Sequence, residues 1–544
     1  MIRHKAPILV LAIAVVVSAV LLISIDSHLT FITDDWVLLV KRQGWGAPYF
    51  LKPFHGNILV APALVYKLIR EIFGMGSATP YYVVAILTFV TSAVLLFVYL
   101  RRRLGDWFAL CAAILVLFLG AAFEDLLFAF QIGYFASVAA GLGMLIALDR
   151  EDDHGDRLAC LLLVVSIAFS SVGLAFAAGA VLDLILGRRP RRRRAYVALI
   201  PIALYGLWWL GWGHTAQSHL SGHNLVDTPK FVFKAAAAGV TSLLGLATGD
   251  GSEQSQPHLI WGKLILIVGL LLLGWQFVRE RKISRGLAVA LAIGLAFWIA
   301  AGVNRNLDRL PTSSRYQYPS AVFLLLIAAE MLRGVKVPRW VVVPAVVVTG
   351  FAIAGGISLM HREDSERWVP YANSIRSSLA AVQIAGASAD PHFQVVFSPE
   401  TKASAKAYFL ATNNYGSPAF SERELAARSQ SERESADFTL AQALGLALHA
   451  PSGERTIACQ LMQASDAGYT GVTLLHGGFT LTNRSGGSVE VLLGRFAEGF
   501  PVSLGPVEDG LKTALEIPAD ESPRPWNLGV VGSGPVQLCT TEPG

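Results

Sequence analysis

The sequence is short of charge and of cysteine, and each shortage narrows what the chain can be. Of its 544 residues only 15% are charged against 53% hydrophobic, and the mean hydropathy is +0.51. Soluble domains carry about a quarter charged residues, so an ordinary soluble enzyme is excluded and a multi-pass membrane protein is indicated. The four cysteines form no CxxC pair and there is no glycine-rich phosphate loop; His214, His219 and His223, spaced five and four apart in a Gly/Ser-rich loop, are not a defined metal template and read as a solvated loop. A thiol-ligated metal fold and a nucleotide cofactor are therefore not expected. The net charge of +5 comes largely from short arginine clusters between apolar runs. That pattern orients a membrane protein and does not describe a nucleic-acid surface.

What the chain has in abundance is apolar runs. The first, Pro7 to Ile25, follows Arg3 and Lys5 and has no small-residue cleavage site before Asp26, which predicts an uncleaved first span. Further runs cover Tyr81 to Leu100, Trp107 to Phe123, Tyr134 to Leu148, Leu158 to Ser170, Gly173 to Gly187 and Ala195 to Trp212. Leu259 to Phe277, Gly286 to Val303, Pro319 to Leu332 and Trp340 to Met360 bring the number to about eleven. Dividing the stretch from Leu158 to Gly187 at Ser170-Ser171-Val172-Gly173 puts every arginine cluster on one side. Those clusters are Arg101 to Arg103, Arg150 with Arg157, Arg188 to Arg194, Arg279 to Arg285, and Arg333, Lys336 and Arg339. By the positive-inside rule that side, with the N-terminus, is cytoplasmic.

This topology places the loop 26–80, the turn at Glu124 and Asp125, the segment 214–258, the turn 304–318 and everything after Met360 outside. Within the first loop, Ile58 to Phe73 predicts an amphipathic helix on the membrane surface, punctuated by Lys67, Arg70 and Glu71. A second helix is predicted over Lys230 to Leu246, capped by Asp227-Thr228-Pro229. After Met360 the composition turns soluble. Helix is expected over Asp364 to Ala385, Thr401 to Thr412 and Ala436 to His449. Strands are expected at Thr456 to Met462, Phe479 to Thr482, Val489 to Arg495, Lys512 to Ile517, Leu528 to Val531 and Val536 to Thr540. The chain thus divides into a transmembrane domain, 1–360, and an extracytoplasmic α+β domain, 361–544, ending in a β-sandwich. Cys459 and Cys539 lie in the first and last late strands, where an oxidising exterior permits a bridge.

Chemistry has to come from the outer loops. Asp34 and Asp35 stand side by side just after the first span, where repulsion and poor solvation favour a raised pKa on one of them unless a cation or divalent metal balances the pair. Either could serve as a general base; equally, both could simply mark the end of the helix. His55, in Lys52-Pro53-Phe54-His55-Gly56-Asn57, lies about twenty residues on, as a substrate-binding group or a turn residue. Glu124 and Gln131 flank an aromatic turn that could meet an acceptor. Arg315, in Ser313-Ser314-Arg315-Tyr316, could grip a phosphate at headgroup level with Tyr316 lining a lipid path, or anchor the helix at the interface.

An inner N-terminus, paired acids after the first span, surface helices in a long outer loop, about eleven spans and an outer C-terminal domain together resemble the GT-C superfamily of polyprenyl-phosphate-sugar-dependent glycosyltransferases. The resemblance covers Met1 to Met360 and its sharp motif is Asp34-Asp35. It implies that one aspartate takes the proton of an acceptor hydroxyl, on a glycan, lipid or protein, while the anomeric carbon inverts and polyprenyl phosphate leaves. Arg315 or a divalent metal would then stabilise the leaving phosphate, and no nucleotide is needed. The competing class is a transporter or flippase of lipid-linked sugars, which would place ionisable residues near the midplane.

The orientation is directly testable. Reporter fusions in the Arg189 to Arg194 loop should report from the cytoplasm and fusions after Met360 from outside; the reverse pattern would remove the aspartates from the outer face.

Overall fold

In the computed structural model, residues 2–541 are described apart from 43, 188, 250–255, 257, 306–308, 336–337, 452, 454 and 465–469. Every one of the eleven apolar runs is a separate helix: Ile2–Asp26, Thr79–Leu104, Asp106–Leu117, Ile132–Leu148, Asp153–Phe169, Gly173–Leu186, Tyr196–Gly211, Leu259–Glu280, Arg285–Val303, Gln317–Met331 and Val342–Glu363. Among the described residues seven helical stretches are long and apolar enough to cross a membrane; Gly173–Leu186 and Tyr196–Gly211 are apolar but shorter. The protein is a multi-pass membrane protein. The stretch from Leu158 to Gly187 does break, between Phe169 and Gly173, with Ser170 extended. Glycine is required at the restart, since a Cβ on Gly173 would come within 2.6 Å of the Ile167 backbone.

The arginine clusters do more than set orientation. Arg194, almost fully buried, meets Asp156 and Asp183 at 3.0 Å each, and Arg285 meets Asp183 at 2.7 Å and Glu151 at 2.8 Å. Arg103 pairs with buried Glu330, which also accepts from the Tyr99 hydroxyl at 2.9 Å. Asp156, Asp183 and Glu330 are thereby each matched with a cation. Arg188 and Lys336, two of the predicted inner charges, fall outside the described residues.

The helix predicted over Lys230 to Leu246 spans Gly222–Leu243, and its cap is Ser221, whose hydroxyl accepts from the Asn224 amide at 3.1 Å. Asp227 and Thr228 therefore lie inside the helix, and Pro229 is an internal proline; Ser221 offers a capping oxygen earlier and wins. In the first outer loop the amphipathic helix is present as Val60–Phe73. Lys67 is 1% exposed, however, and not on a wet face: it donates to the Gly44 carbonyl and sits 4.2 Å above Trp45 and 4.5 Å above Tyr49.

Packing divides the chain into two compact units. One comprises Met1–Leu29, Arg42–Ile69 and Ala78–Trp368; the other comprises Val369–Gly544 together with Thr30–Lys41 and Arg70–Ser77. The boundary lies beyond the composition change at Met360, because the chain stays helical from Val342 to Ser388.

The second unit contains helices Val369–Ala385, Ala405–Tyr415, Glu422–Ala426 and Gln430–Ala443. A short hairpin, β1 (Gln394–Val396) with β2 (Lys402–Ser404), precedes a sandwich of β3 (Thr456–Ala464), β4 (Thr470–Leu474), β5 (Gly477–Asn483), β6 (Val489–Gly494), β7 (Val502–Val507), β8 (Lys512–Ile517), β9 (Trp526–Val531) and β10 (Gly534–Thr541). Its sheets run β3-β10-β5-β8 and β4-β9-β6-β7, all antiparallel. Alternate residues of these strands, among them Leu481, Val491, Leu493, Leu528 and Val530, are buried between the sheets, as a sandwich requires. Cys459 and Cys539 are directly opposed on β3 and β10 and form a disulfide. β4 and β7, the two edges of one sheet, were not expected: Pro506 and Gly505 interrupt the strand pattern in β7, and an edge position tolerates them.

Helix and sandwich are joined by Asp437, fully buried, which accepts from three successive amides, Arg495 at 2.9 Å, Phe496 at 2.9 Å and Ala497 at 3.0 Å. Removing that carboxylate leaves amides without their partner, at a cost of about 2–3 kcal/mol. Asp437→Ala should accordingly lower the urea midpoint of unfolding of the full-length protein followed by Trp fluorescence in detergent, and an unchanged midpoint would contradict this linkage.

Candidate functional site

The stretch Phe31 to Trp36 is a tight turn with divided labour. The Asp35 amide bonds to the Ile32 carbonyl at 3.1 Å, and the Asp35 carboxylate accepts from the Ile32 amide at 2.8 Å. Trp36 donates its indole N–H to the Phe31 carbonyl at 3.0 Å, and the Val37 amide reaches the Asp34 carbonyl at 3.1 Å. Closing so small a loop drives Thr33 to φ +41°, a left-handed conformation that a β-branched residue adopts only under constraint. Asp35 and Trp36 are fully buried whereas Asp34 is half-buried. The two acids are therefore not interchangeable: Asp35 builds the turn, and Asp34 is the more accessible carboxylate.

This turn belongs to the second unit. Trp36 stacks face to face on Phe397, with ring centroids 4.3 Å apart at 14°. The Phe397 carbonyl accepts from the Tyr371 hydroxyl at 2.8 Å, and burial, then the negative charge of Asp34, push the Tyr371 phenol up to about 12. Asp34 thus has a protonated phenol within electrostatic reach at any physiological pH.

In the first unit the site residues gather around Arg315. Ser314 donates to the Ala121 carbonyl at 2.7 Å and accepts from the Glu124 amide at 3.1 Å, which pins the two turns together. Arg315 then meets the Glu124 carboxylate through Nε at 3.1 Å and Nη2 at 3.4 Å. Burial is the largest influence and acts against its charge, but the attraction and hydrogen bond of Glu124, with smaller contributions from Tyr134 and Tyr316, together hold the guanidinium above its ordinary pKa. Its side chain is still 43% exposed, and the Nη1 edge takes no part in the pair. Asp125 is fully buried, and neither of its carboxylate oxygens makes a well-formed hydrogen bond among the described residues.

Tyr316 does not line an open path. It is buried, with Phe231 and Phe297 edge-on at about 6 Å. Arg305 is engaged by Asp227 at 2.7 Å and Asn224 at 3.3 Å. His55 is exposed at the tip of a two-residue hairpin, φ +47°, followed by Gly56 at +78°, with Phe54 and Asn57 exchanging both backbone bonds. That is the geometry of a type I′ turn. Phe54 packs edge-on against Phe130 at 5.8 Å, which brings the His55 hairpin to the aromatic turn that carries Gln131, in the first unit. Asp35 and His55 therefore belong to different units.

No group of three or more His, Cys, Asp or Glu among the described residues is arranged to hold a metal ion. Asp35 commits one carboxylate oxygen to its own backbone. Two features escaped sequence reasoning. The aromatic burial of Lys67 is signalled by its i+4 spacing from Ala63, on the face that packs inward. The isolation of Asp125 has no local signal, since it depends on partners distant in sequence.

No known protein-family profile matches the sequence, and no curated protein sequence matches it. Among solved structures, the chain is similar to ArnT from Cupriavidus metallidurans bound to undecaprenyl phosphate, at 14% identity and TM-score 0.44, over 75% of this chain and 85% of that one. The apo state of the same protein gives 14% identity and TM-score 0.46, over 75% and 89%. The Archaeoglobus fulgidus oligosaccharyltransferase in complex with zinc and sulfate gives 14% identity and TM-score 0.42, over 72% of this chain and 58% of that one.

Proposed function

We propose that the protein is a membrane glycosyltransferase that moves a sugar from a polyprenyl-phosphate carrier to an extracytoplasmic acceptor hydroxyl, on a cell-envelope glycan, lipid or protein, with inversion. The observation that carries this reading is the half-buried Asp34 carboxylate, set on a strained turn that Asp35 locks from within. Strain of this kind persists only where the surroundings over-determine it, and it concentrates at functional sites.

In the proposed reaction Asp34 accepts the proton of the acceptor hydroxyl. The acceptor oxygen forms its bond to the anomeric carbon as the bond from that carbon to the phosphate oxygen breaks, and the electron pair leaves with polyprenyl phosphate. One base and one displacement give inversion. Arg315 would meet the carrier phosphate through the guanidinium edge that Glu124 leaves uncommitted, while Glu124 fixes the plane of the group. A guanidinium suits this role because its charge survives burial and its donors match phosphate oxygens.

Turnover of a synthetic undecaprenyl-phosphate sugar in nanodiscs, with envelope glycan as acceptor, tests these roles. Asp34→Asn should lower kcat by about 10² to 10⁴-fold, the usual contribution of a general base. Asp35→Asn keeps an oxygen for the Ile32 amide and should retain far more activity. Arg315→Ala should weaken donor binding as well as turnover, and Arg315→Lys should restore only part. Normal turnover in Asp34→Asn would overturn the base assignment.

A further inference from the structure

We infer that the C-terminal unit is part of the catalytic apparatus, with Phe397 and Trp36 acting as positioning residues that hold the Asp34 turn in its working conformation. The inference rests on Asp34 as the base. Although the turn follows the first span in sequence, Thr30–Lys41 packs with the C-terminal unit. Trp36 is the bolt. It is fully buried, stacked on Phe397, edge-on to Phe31 at 5.6 Å, and tied by its indole N–H to the Phe31 carbonyl.

Phe397 is itself held from several directions. It is 1% exposed, its amide donates to the Thr401 carbonyl at 3.0 Å, and its carbonyl receives the Tyr371 hydroxyl from the Val369–Ala385 helix. Its ring leans on buried Tyr408 at 6.4 Å, and the Tyr408 hydroxyl is bonded to Ser417 at 2.7 Å and to Gln383 at 3.2 Å. A second anchor lies at the far end of the segment. Arg70, 5% exposed, donates to the Leu39 carbonyl at 3.2 Å while its guanidinium lies 4.5 Å above Tyr415 of the Ala405–Tyr415 helix. Neighbouring Gly74, at φ +71°, lets the chain approach Tyr415 so closely that a Cβ would stand 2.5 Å from its carbonyl oxygen.

These contacts bear on catalysis because Thr33 is strained. The local hydrogen bonds of Asp35 and Trp36 close the turn at the cost of φ +41° at Thr33, and without the Trp36 stack to hold it that strain would relax to conformations that aim Asp34 elsewhere. A base misplaced by about 1 Å can cost about 100-fold in rate. Phe397 would then set kcat through the turn that carries Asp34.

The test uses the full-length protein in nanodiscs, with undecaprenyl-phosphate-linked pentose and hexose as donors, and reads kcat, donor KM and thermal midpoint. Phe397→Ala should lower kcat at least about tenfold, with donor KM and midpoint near wild type. Phe397→Tyr, which keeps the stacking face, should recover most of the loss. Where Phe397→Ala does not fold, Phe397→Leu gives the same reading with the bulk retained. Wild-type kcat in a folded Phe397 variant that has lost the ring, beside an inactive Asp34→Asn, would overturn the positioning role and leave the base assignment standing. An active Asp34→Asn would overturn the base assignment itself, and the positioning role with it.

Discussion

The hydrogen bond from the Ile32 amide to the Asp35 carboxylate is the interaction on which the geometry of the 31–36 turn, and with it the proposed role of Asp34, depends. It closes a turn too tight for ordinary backbone geometry, and the strain appears at Thr33. Two adjacent acids that look equivalent are thereby given different tasks. Asp35 has its charge met by its own backbone, while Asp34 stays accessible. A hydrogen bond to the charged form favours that form, so this bond holds Asp35 as a carboxylate that builds the turn.

Charge elsewhere is handled by matching. The deep arginines Arg103 and Arg194 meet Glu330, Asp156 and Asp183, so these charges are paired where they are buried. Breaking one member of such a set would cost several kcal/mol, because the partner would remain buried and unpaired. Arg315 is treated differently. Its partner Glu124 occupies two of its donors and leaves the side chain partly open, an arrangement suited to a second anion. Asp125 departs from the rule, a fully buried acid with neither oxygen in a well-formed hydrogen bond among the described residues.

The helices were legible in the sequence because an apolar run of membrane length has few alternatives to helix. Even the break at Ser170 to Gly173 could be read, from the need to keep the arginines on one side. Six sandwich strands were legible from alternation; β4 and β7 were not, as edge strands need less of it. The misplaced start of the Gly222–Leu243 helix arose from reading Pro229 as a first-turn residue when Ser221 supplies the cap. For the site, the sequence pointed to Asp34, Asp35, Glu124 and Arg315 but not to their relations. The Glu124–Arg315 pair joins residues 191 positions apart, and the stack of Trp36 on Phe397 joins the first outer loop to the soluble unit. Neither has a local signature, because long-range pairing is fixed by the fold and not by neighbouring residues.

A single base acting once has a stereochemical consequence that a double displacement through a covalent sugar–enzyme intermediate does not share. Nuclear magnetic resonance of the product formed from an undecaprenyl-phosphate sugar of known anomeric configuration would read it directly. Inversion at the anomeric carbon, with one equivalent of undecaprenyl phosphate released, is the predicted result. Retention would require a covalent sugar–enzyme intermediate and two displacements, and would contradict Asp34 as a general base.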